Sequence, residues 1–322
     1  MRILLKIIRT QSSFQRYTST LVKKLISNPQ LLTADEIKSL LWTAADLRQK
    51  LLDKNEKVIL NDIKDSKIVL LLTMPSIYHQ LSAAYAAKIL DANLNIVIDP
   101  TWDTLGYIND TMKFVQTHAD LILAQCRLQC ILDEVKQLNV PIFVYKSPKF
   151  KVIQTLADLL TMQLNFGYLK GLDIAFLGQP NRLLNTYLLL GTKLGVNITY
   201  YCCCNSGMQS PAGLKIAESL CKDTKSVLKE CDRAEKAIEH AKVIILSKKG
   251  NHSVTHEMIK AASPDVKLHF QRPRDCHQVN NALISDCQYL TWEAADNMKW
   301  VFAAVMIGLL SDYKHTISMP IF

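Results

Sequence analysis

No apolar run in the sequence approaches the roughly 20 residues that a membrane-spanning helix needs; the longest are stretches such as Ile68–Leu72 and Ala303–Leu310, so no integral membrane segment is expected. Acidic residues are missing from the first 34 positions, where Arg2, Lys6, Arg9, Arg16, Lys23 and Lys24 alternate with Leu, Ile, Ser and Thr; the first acid is Asp35. A basic, hydroxyl-rich, acid-free start reads as a mitochondrial transit peptide over residues 1–24, and Arg9 and Arg16 interrupt any apolar core of a secretory signal. Removing residues 1–22 takes four of the nine net positive charges and leaves +5, too little to call for a nucleic-acid partner. A dinucleotide-binding fingerprint is also lacking, because Gly178 stands alone in Gly178–Arg182 and Pro180 removes a donor. The nine cysteines form no zinc pattern. Cys202, Cys203 and Cys204 are consecutive at a strand end, and Cys126 and Cys130 have no second pair, so structural thiols and no metal site are expected.

With 49% hydrophobic and 21% charged residues over 322 positions, the chain can bury large cores. Its first element is a helix opened by a Thr33–Glu36 capping box, with Ile37, Leu40, Leu41, Ala44 and Leu47 on one face. From Ile68 the pattern alternates apolar strand and helix: strands at 68–72, 95–98, 121–124 and 142–145, helices at 76–90 and 128–138. Apolar strands separated by helices indicate a parallel sheet covered on both faces. A helix over 151–165 leads into a second series, with strands at 172–177, 197–201, 243–246 and 266–269 and helices at 183–194, 213–222, 233–241 and 252–261. A final apolar helix over 294–310 is suited to pack against both parts. The fold class is α/β, two doubly wound parallel-sheet domains joined by interdomain helices, with expected limits 31–150 and 151–292 and residues 293–322 packing back on the first domain.

Open parallel sheets bind ligands beyond the carboxyl ends of their strands, where loops enter helix N-termini. The loop Thr73–Gln80 occupies such a place, with Pro75 suited to the first helical turn and Ser76, Tyr78, His79 and Gln80 as its polar groups. Arg182, after Gly178, is a second candidate for holding an anion.

Three stretches, Glu36–Leu47, Ile153–Gln163 followed by Leu169–Leu172, and Asn297–Trp300 continuing to Tyr313, resemble ornithine carbamoyltransferase of the aspartate/ornithine carbamoyltransferase family. The resemblance runs from about Leu31 to Phe322. It implies a trimer with no cofactor, in which an amino-terminal domain binds carbamoyl phosphate, a carboxy-terminal domain holds ornithine, and the δ-amine attacks the carbamoyl carbon. Carried onto this sequence, the family's S-T-R-T-R phosphate loop falls on Ser76, Ile77, Tyr78, His79 and Gln80, and only the serine remains. The arginine of L-A-R falls on Gln125, the histidine of H-P-x-Q on Lys151 with its glutamine kept as Gln154, and an arginine of the last helix on Met298. The H-C-L-P segment reads His269, Phe270, Gln271, Arg272 and Pro273, and one asparagine of G-D-G-N-N is Asn181, followed by Arg182. The ornithine-gripping loop after Leu246 reads Ser247-Lys248-Lys249, whose cations would repel a diamino acid.

Arginine's planar fork gives bidentate bonds to phosphate. At about 1.5–3 kcal/mol per charged hydrogen bond, four missing arginines remove about 6–12 kcal/mol, against about 8 kcal/mol for a micromolar ligand. Two readings follow. One is an inactive carbamoyltransferase fold with an interaction or regulatory role in the mitochondrial matrix, as a homotrimer or mixed with an active relative. The other is an active enzyme, forming citrulline or using another acceptor, with Lys151, His79, Arg182 and His269 as substitute cations.

Overall fold

The computed structural model describes residues 25–52, 58–104, 108–127, 138–202, 211, 213–247, 254–271 and 288–322. Its strands are β1 (Leu25–Ile26), β2 (Lys67–Leu72), β3 (Asn93–Ile98), β4 (Leu121–Gln125), β5 (Ile142–Lys146), β6 (Asp173–Leu177), β7 (Asn197–Tyr201), β8 (Leu228–Glu230), β9 (Val243–Leu246), β10 (Lys267–Phe270) and β11 (Gln288–Tyr289). The helices are α1 (Ala34–Leu52), α2 (Ile77–Ile89), α3 (Ile108–Gln116), α4 (Val152–Phe166), α5 (Arg182–Lys193), α6 (Leu214–Thr224), α7 (Ala234–Ile238), α8 (His256–Lys260) and α9 (Thr291–Leu310). The strands form two parallel sheets, ordered β1-β5-β4-β2-β3 and β11-β10-β9-β6-β7-β8. Strand order reverses between β2 and β4 in the first sheet and between β6 and β9 in the second, and such switch points open a crevice at the strands' carboxyl ends.

Each strand divides its residues between two faces, as a period of two requires. Ile68, Leu70 and Leu72 of β2, Phe143 and Tyr145 of β5, Ile174 and Phe176 of β6, and Val243 and Ile245 of β9 enter one continuous core shared with α1, α4, α5 and α9. The intervening residues enter two separate outer clusters. One gathers Val69, Leu71, Ile122 and Val144 around Trp102 and Met112; the other gathers Ala175, Leu177, Ile244 and Leu246 around Ala237, Ile238 and Met258.

The Thr33–Glu36 capping box is formed: Thr33 N–H donates to Glu36 Oε2 at 2.8 Å, and Glu36 N–H to Thr33 Oγ1 at 3.2 Å. Helix α4 ends where Gly167 takes a left-handed φ of 82° and donates to the Gln163 carbonyl. Two expectations need correction. Pro75 lies one residue before the α2 N-cap, Ser76, rather than in the first turn. The first sheet is not covered on both faces throughout: β3 is its edge strand, and Ile96, Val97 and Ile98 are all exposed. The leader (1–24) and nearly all of the expected 128–138 helix lie outside the described residues, as do Cys130, Cys203, Cys204, Lys248, Lys249 and Arg272. Among the described residues, no helix is long and apolar enough to cross a membrane.

The C-terminal tail is held on α1 by one buried carboxylate. Asp46 accepts hydrogen bonds from the Tyr313 hydroxyl, from Thr316 N–H and Oγ1 and from Ile317 N–H, and pairs with Lys50 at 3.0 Å. Beside it, His315 stacks on Trp42 with centroids 3.6 Å apart and meets Thr43 Oγ1 at 2.9 Å. Burial would raise the Asp46 carboxyl, but the bonds from Thr316, Tyr313 and Lys50 outweigh it and hold it below the ordinary range. Burial pushes His315 down to about 4 from 6.5, with Asp46 opposing and Lys50 reinforcing the shift. The neutral ring is therefore the one that docks. Its contribution to stability is complete above pH 6.5 and is lost as pH falls toward about 4. Hydrogen exchange at the Thr316 and Ile317 amides should accelerate across that window, and His315→Phe, which keeps an aromatic ring and cannot titrate, should remove the dependence; an unchanged profile in the variant would assign it to another group.

Candidate functional site

A cavity of about 320 Å³ opens where the start of α2, the end of β5, the start of α4 and the middle of α9 converge. Its walls are Pro75, Ser76, Ile77, Tyr78 and His79, then Tyr145 and Lys146, then Lys151 and Gln154, and Met298. The structure thus brings together seven candidate residues that are scattered from position 76 to 298. Tyr145 and Lys146 are additions that motif comparison misses. A short turn explains them: Ser147 N–H donates to the Phe150 carbonyl, and Phe150 N–H to Ser147 Oγ, so that Lys146 and Lys151 pair as a single backbone bridge. Two lysines five positions apart are thereby set side by side.

The start of α2 is occupied by its own side chains. Ser76 Oγ lies 2.6 Å from His79 Nδ1, and Ser76 N–H donates to Gln80 Oε1 at 3.3 Å. The His79 ring also packs against Tyr145 (centroids 4.9 Å) and edge-on to Phe302. A helix N-terminus offers unpaired N–H groups to anions; here the cap N–H and the cap hydroxyl are already engaged. Ile77, which follows, is 65% exposed and supplies no polar atom from its side chain.

The other candidates lie elsewhere. Gln125, at the end of β4, is buried and reaches Thr73 Oγ1 at 3.4 Å rather than lining the cavity. The nearby Arg127 does not replace a lost arginine, because its guanidinium binds Asp103 at 2.8 Å and the Pro100 carbonyl. Asn181 caps α5, accepting from Leu183 and Leu184 N–H and donating to Ser247 Oγ at 2.5 Å and Gln271 Oε1 at 3.3 Å. Arg182 is exposed at the first turn of α5, close enough to Lys146 to repel it. His269 and Phe270 are not brought to the cavity. On β10, Leu268 and Phe270 face the outer cluster, so His269 between them points inward and is fully buried. Its Nε2 lies 3.2 Å from Asp158 Oδ1, near enough for a charge contact but not aligned as a hydrogen bond; Asp158 Oδ2 accepts from the Tyr187 hydroxyl at 2.9 Å.

The electrostatics of the cavity are one-sided. Burial lowers the Lys146 ammonium's pKa below its ordinary value, and Arg182 adds to the shift. Burial, with a smaller contribution from Cys126, raises Tyr145 well above the usual phenol range, so its hydroxyl stays protonated. Among the described residues, no group of three or more His, Cys, Asp or Glu side chains is placed to hold a metal ion.

No protein-family model matches the chain. Among solved structures it superimposes on ornithine carbamoyltransferase from Pyrococcus furiosus with a TM-score of 0.82, at 19% identity, over 91% of this chain and 99% of that one. It also superimposes on aspartate transcarbamoylase from Trypanosoma cruzi in complex with aspartate and phosphate, with a TM-score of 0.77 at 15% identity, over 91% and 96%. The two parallel sheets and their connecting helices are therefore the carbamoyltransferase fold. In sequence the chain is 26% identical to mitochondrial ornithine transcarbamylase of Gallus gallus, over 90% of this chain and 86% of that one, and 27% identical to mitochondrial ornithine carbamoyltransferase of Aquarana catesbeiana, over 98% and 95%. The chain is a divergent relative of the ornithine carbamoyltransferases.

Lys146 holds a half-buried charge whose charged neighbour Arg182 has the same sign, an arrangement that costs stability. Lys146→Met, which keeps the stem and removes the charge, should raise stability by up to about 1 kcal/mol, read as a higher midpoint in urea unfolding. A lower midpoint would mean that the ammonium contributes to the fold.

Proposed function

We propose that this chain does not transfer carbamoyl groups to ornithine and acts as an ornithine carbamoyltransferase-like interaction or regulatory protein of the mitochondrial matrix. The observation that supports this is at the start of α2, where Ser76 Oγ meets His79 Nδ1 and Ser76 N–H donates to Gln80 Oε1 within the same turn. The positions that the resemblance assigns to phosphate-binding arginines hold Tyr78, Gln80, Gln125 and Met298. A phosphate arriving here would have to break internal hydrogen bonds and would find no bidentate fork. The amino-acid side supports the same reading, since Asn181 is engaged with Ser247 and Gln271. The basic leader over residues 1–24 and the mitochondrial relatives support the matrix location. The proposed organisation is a first domain over 31–150, a second over 151–292, and residues 293–322 returning to the first.

Calorimetric titration with carbamoyl phosphate, and with a mimic joining a phosphonate to ornithine, tests the proposal. No heat up to millimolar ligand and no citrulline are expected, in line with the roughly 6–12 kcal/mol of lost contacts. The competing reading, an active carbamoyltransferase, draws support from the two lysines in the cavity; citrulline formation that disappears in Lys151→Ala would establish it.

Assembly into a homotrimer, or a mixed trimer with an active relative, is supported by the apolar surface that α2 and β3 expose. Ile77 and Leu81 are each 65% exposed, and Ile96, Val97 and Ile98 are exposed on an edge strand. Exposed apolar side chains of this number are what a contact site would use, and an open strand edge invites pairing. Light scattering of the purified protein should give a mass of three chains, and Leu81→Lys combined with Val97→Lys should reduce it to one. A wild-type monomer would remove trimer formation from the proposal.

A further inference from the structure

One side chain far from the cavity ties the amino-terminal segment to a helix of the second sheet. The segment starts in the first sheet, where β1 pairs with β5 through Leu25 and Ile26. It then makes a single 3-10 turn, Pro29–Leu31, before α1 begins. Lys193 is the last residue of α5, which packs on β7 of the second sheet. Its ammonium donates to the carbonyls of Pro29 at 3.0 Å, Gln30 at 3.0 Å and Leu32 at 2.6 Å. The three hydrogens of the ammonium thus meet three acceptors drawn from one short turn.

These partners are carbonyl dipoles rather than carboxylates. Burial lowers the Lys193 pKa to about 8 from 10.5, and Glu36 opposes the shift without cancelling it. At pH 8 about half of the chains therefore carry a neutral amine here, against under about 1% for an ordinary lysine. A neutral amine has two hydrogens and a lone pair for the same three carbonyls. The bonds to Pro29 and Leu32 are partly buried, whereas the bond to Gln30 is exposed. Keeping the two sheltered bonds leaves the lone pair on the exposed side, where an electrophile can reach it. Acylation would remove the charge and leave the nitrogen a single hydrogen, so two of the three carbonyls would lose their donor.

We propose that Lys193 is an acylation site for small acyl thioesters, and that its modification unfastens the 29–32 turn from α5. In the step, the neutral Nζ attacks the thioester carbonyl carbon. The N–C bond forms, the C–S bond breaks, and the departing thiolate takes up the proton that the nitrogen loses. Ile26 and Leu32 stay buried in the core, so the opening is local and the chain remains folded.

Trace labelling of the full chain with acetyl-coenzyme A, read by peptide mass spectrometry, tests the site. At about pH 8 Lys193 should acetylate about tenfold or more faster than the exposed Lys149 and Lys222, with shielding by the turn offsetting the rest of its larger neutral fraction. Hydrogen exchange tests the release. The Leu31 and Leu32 amides donate to the Asn28 and Pro29 carbonyls, and their exchange should quicken about tenfold in the acetylated chain and in Lys193→Gln, which has the amide's neutral character. The acetylated wild-type chain keeps the test independent of whether the variant folds. Labelling of Lys193 no faster than that of Lys149 and Lys222 would overturn the site, and acetylation that leaves exchange at Leu31 and Leu32 unchanged would overturn the release.

Discussion

The contact between α4 and α9 is the constraint on which the rest of the molecule depends. Eleven residues of α4 and thirteen of α9 are buried, so neither helix has a broad solvent face. Their apolar surfaces close the core that receives the inner residues of both sheets. Polar groups fix their mutual register: Asn297 Nδ2 donates to Thr161 Oγ1 at 2.8 Å inside the core, and Asn165 Nδ2 donates to Glu293 Oε2 at 2.8 Å near its edge. A buried hydrogen bond of this kind tolerates little sliding, because displacement would strand both partners. The cavity inherits that rigidity, since Gln154 belongs to α4 and Met298 to α9.

This dependence explains how a fold can persist while its site changes. The residues aligned with the S-T-R-T-R loop lie at the entrance of a helix, and the core does not need their side-chain chemistry. What the helix start does need is partners for its N–H groups. Here Gln80 accepts from the N–H of the cap residue Ser76, and His79 meets the Ser76 hydroxyl, within the same turn. The replaced residues therefore bond to one another within their own turn.

Much of the fold could be read from the sequence because strands buried on both faces leave unbroken apolar runs, and the Thr33–Glu36 box marks a helix start without ambiguity. Strands β1, β8 and β11, of two or three residues each, were missed since no periodicity develops over so short a length. The exposure of β3 was hidden for a different reason: Ile96, Val97 and Ile98 have the composition of a covered strand, and edge position is a property of topology. At the site, motif alignment found the helix-start residues and Lys151 but not Lys146, whose proximity to Lys151 depends on the turn between them. The opposite error concerned His269. Alignment made it a candidate catalytic group, yet the alternation of Leu268, His269 and Phe270 already implied that the histidine points away from its two neighbours, into the core beside Asp158.

The two switch points of the sheets offer three places where polar groups converge, and they differ in how fully the protein satisfies them. At the end of β6 and β9, Asn181, Ser247 and Gln271 bind one another. At the start of α2, Ser76, His79 and Gln80 do the same. At the β5–α4 corner, by contrast, the buried Tyr145 hydroxyl and Gln154 Nε2 have no hydrogen-bond partner.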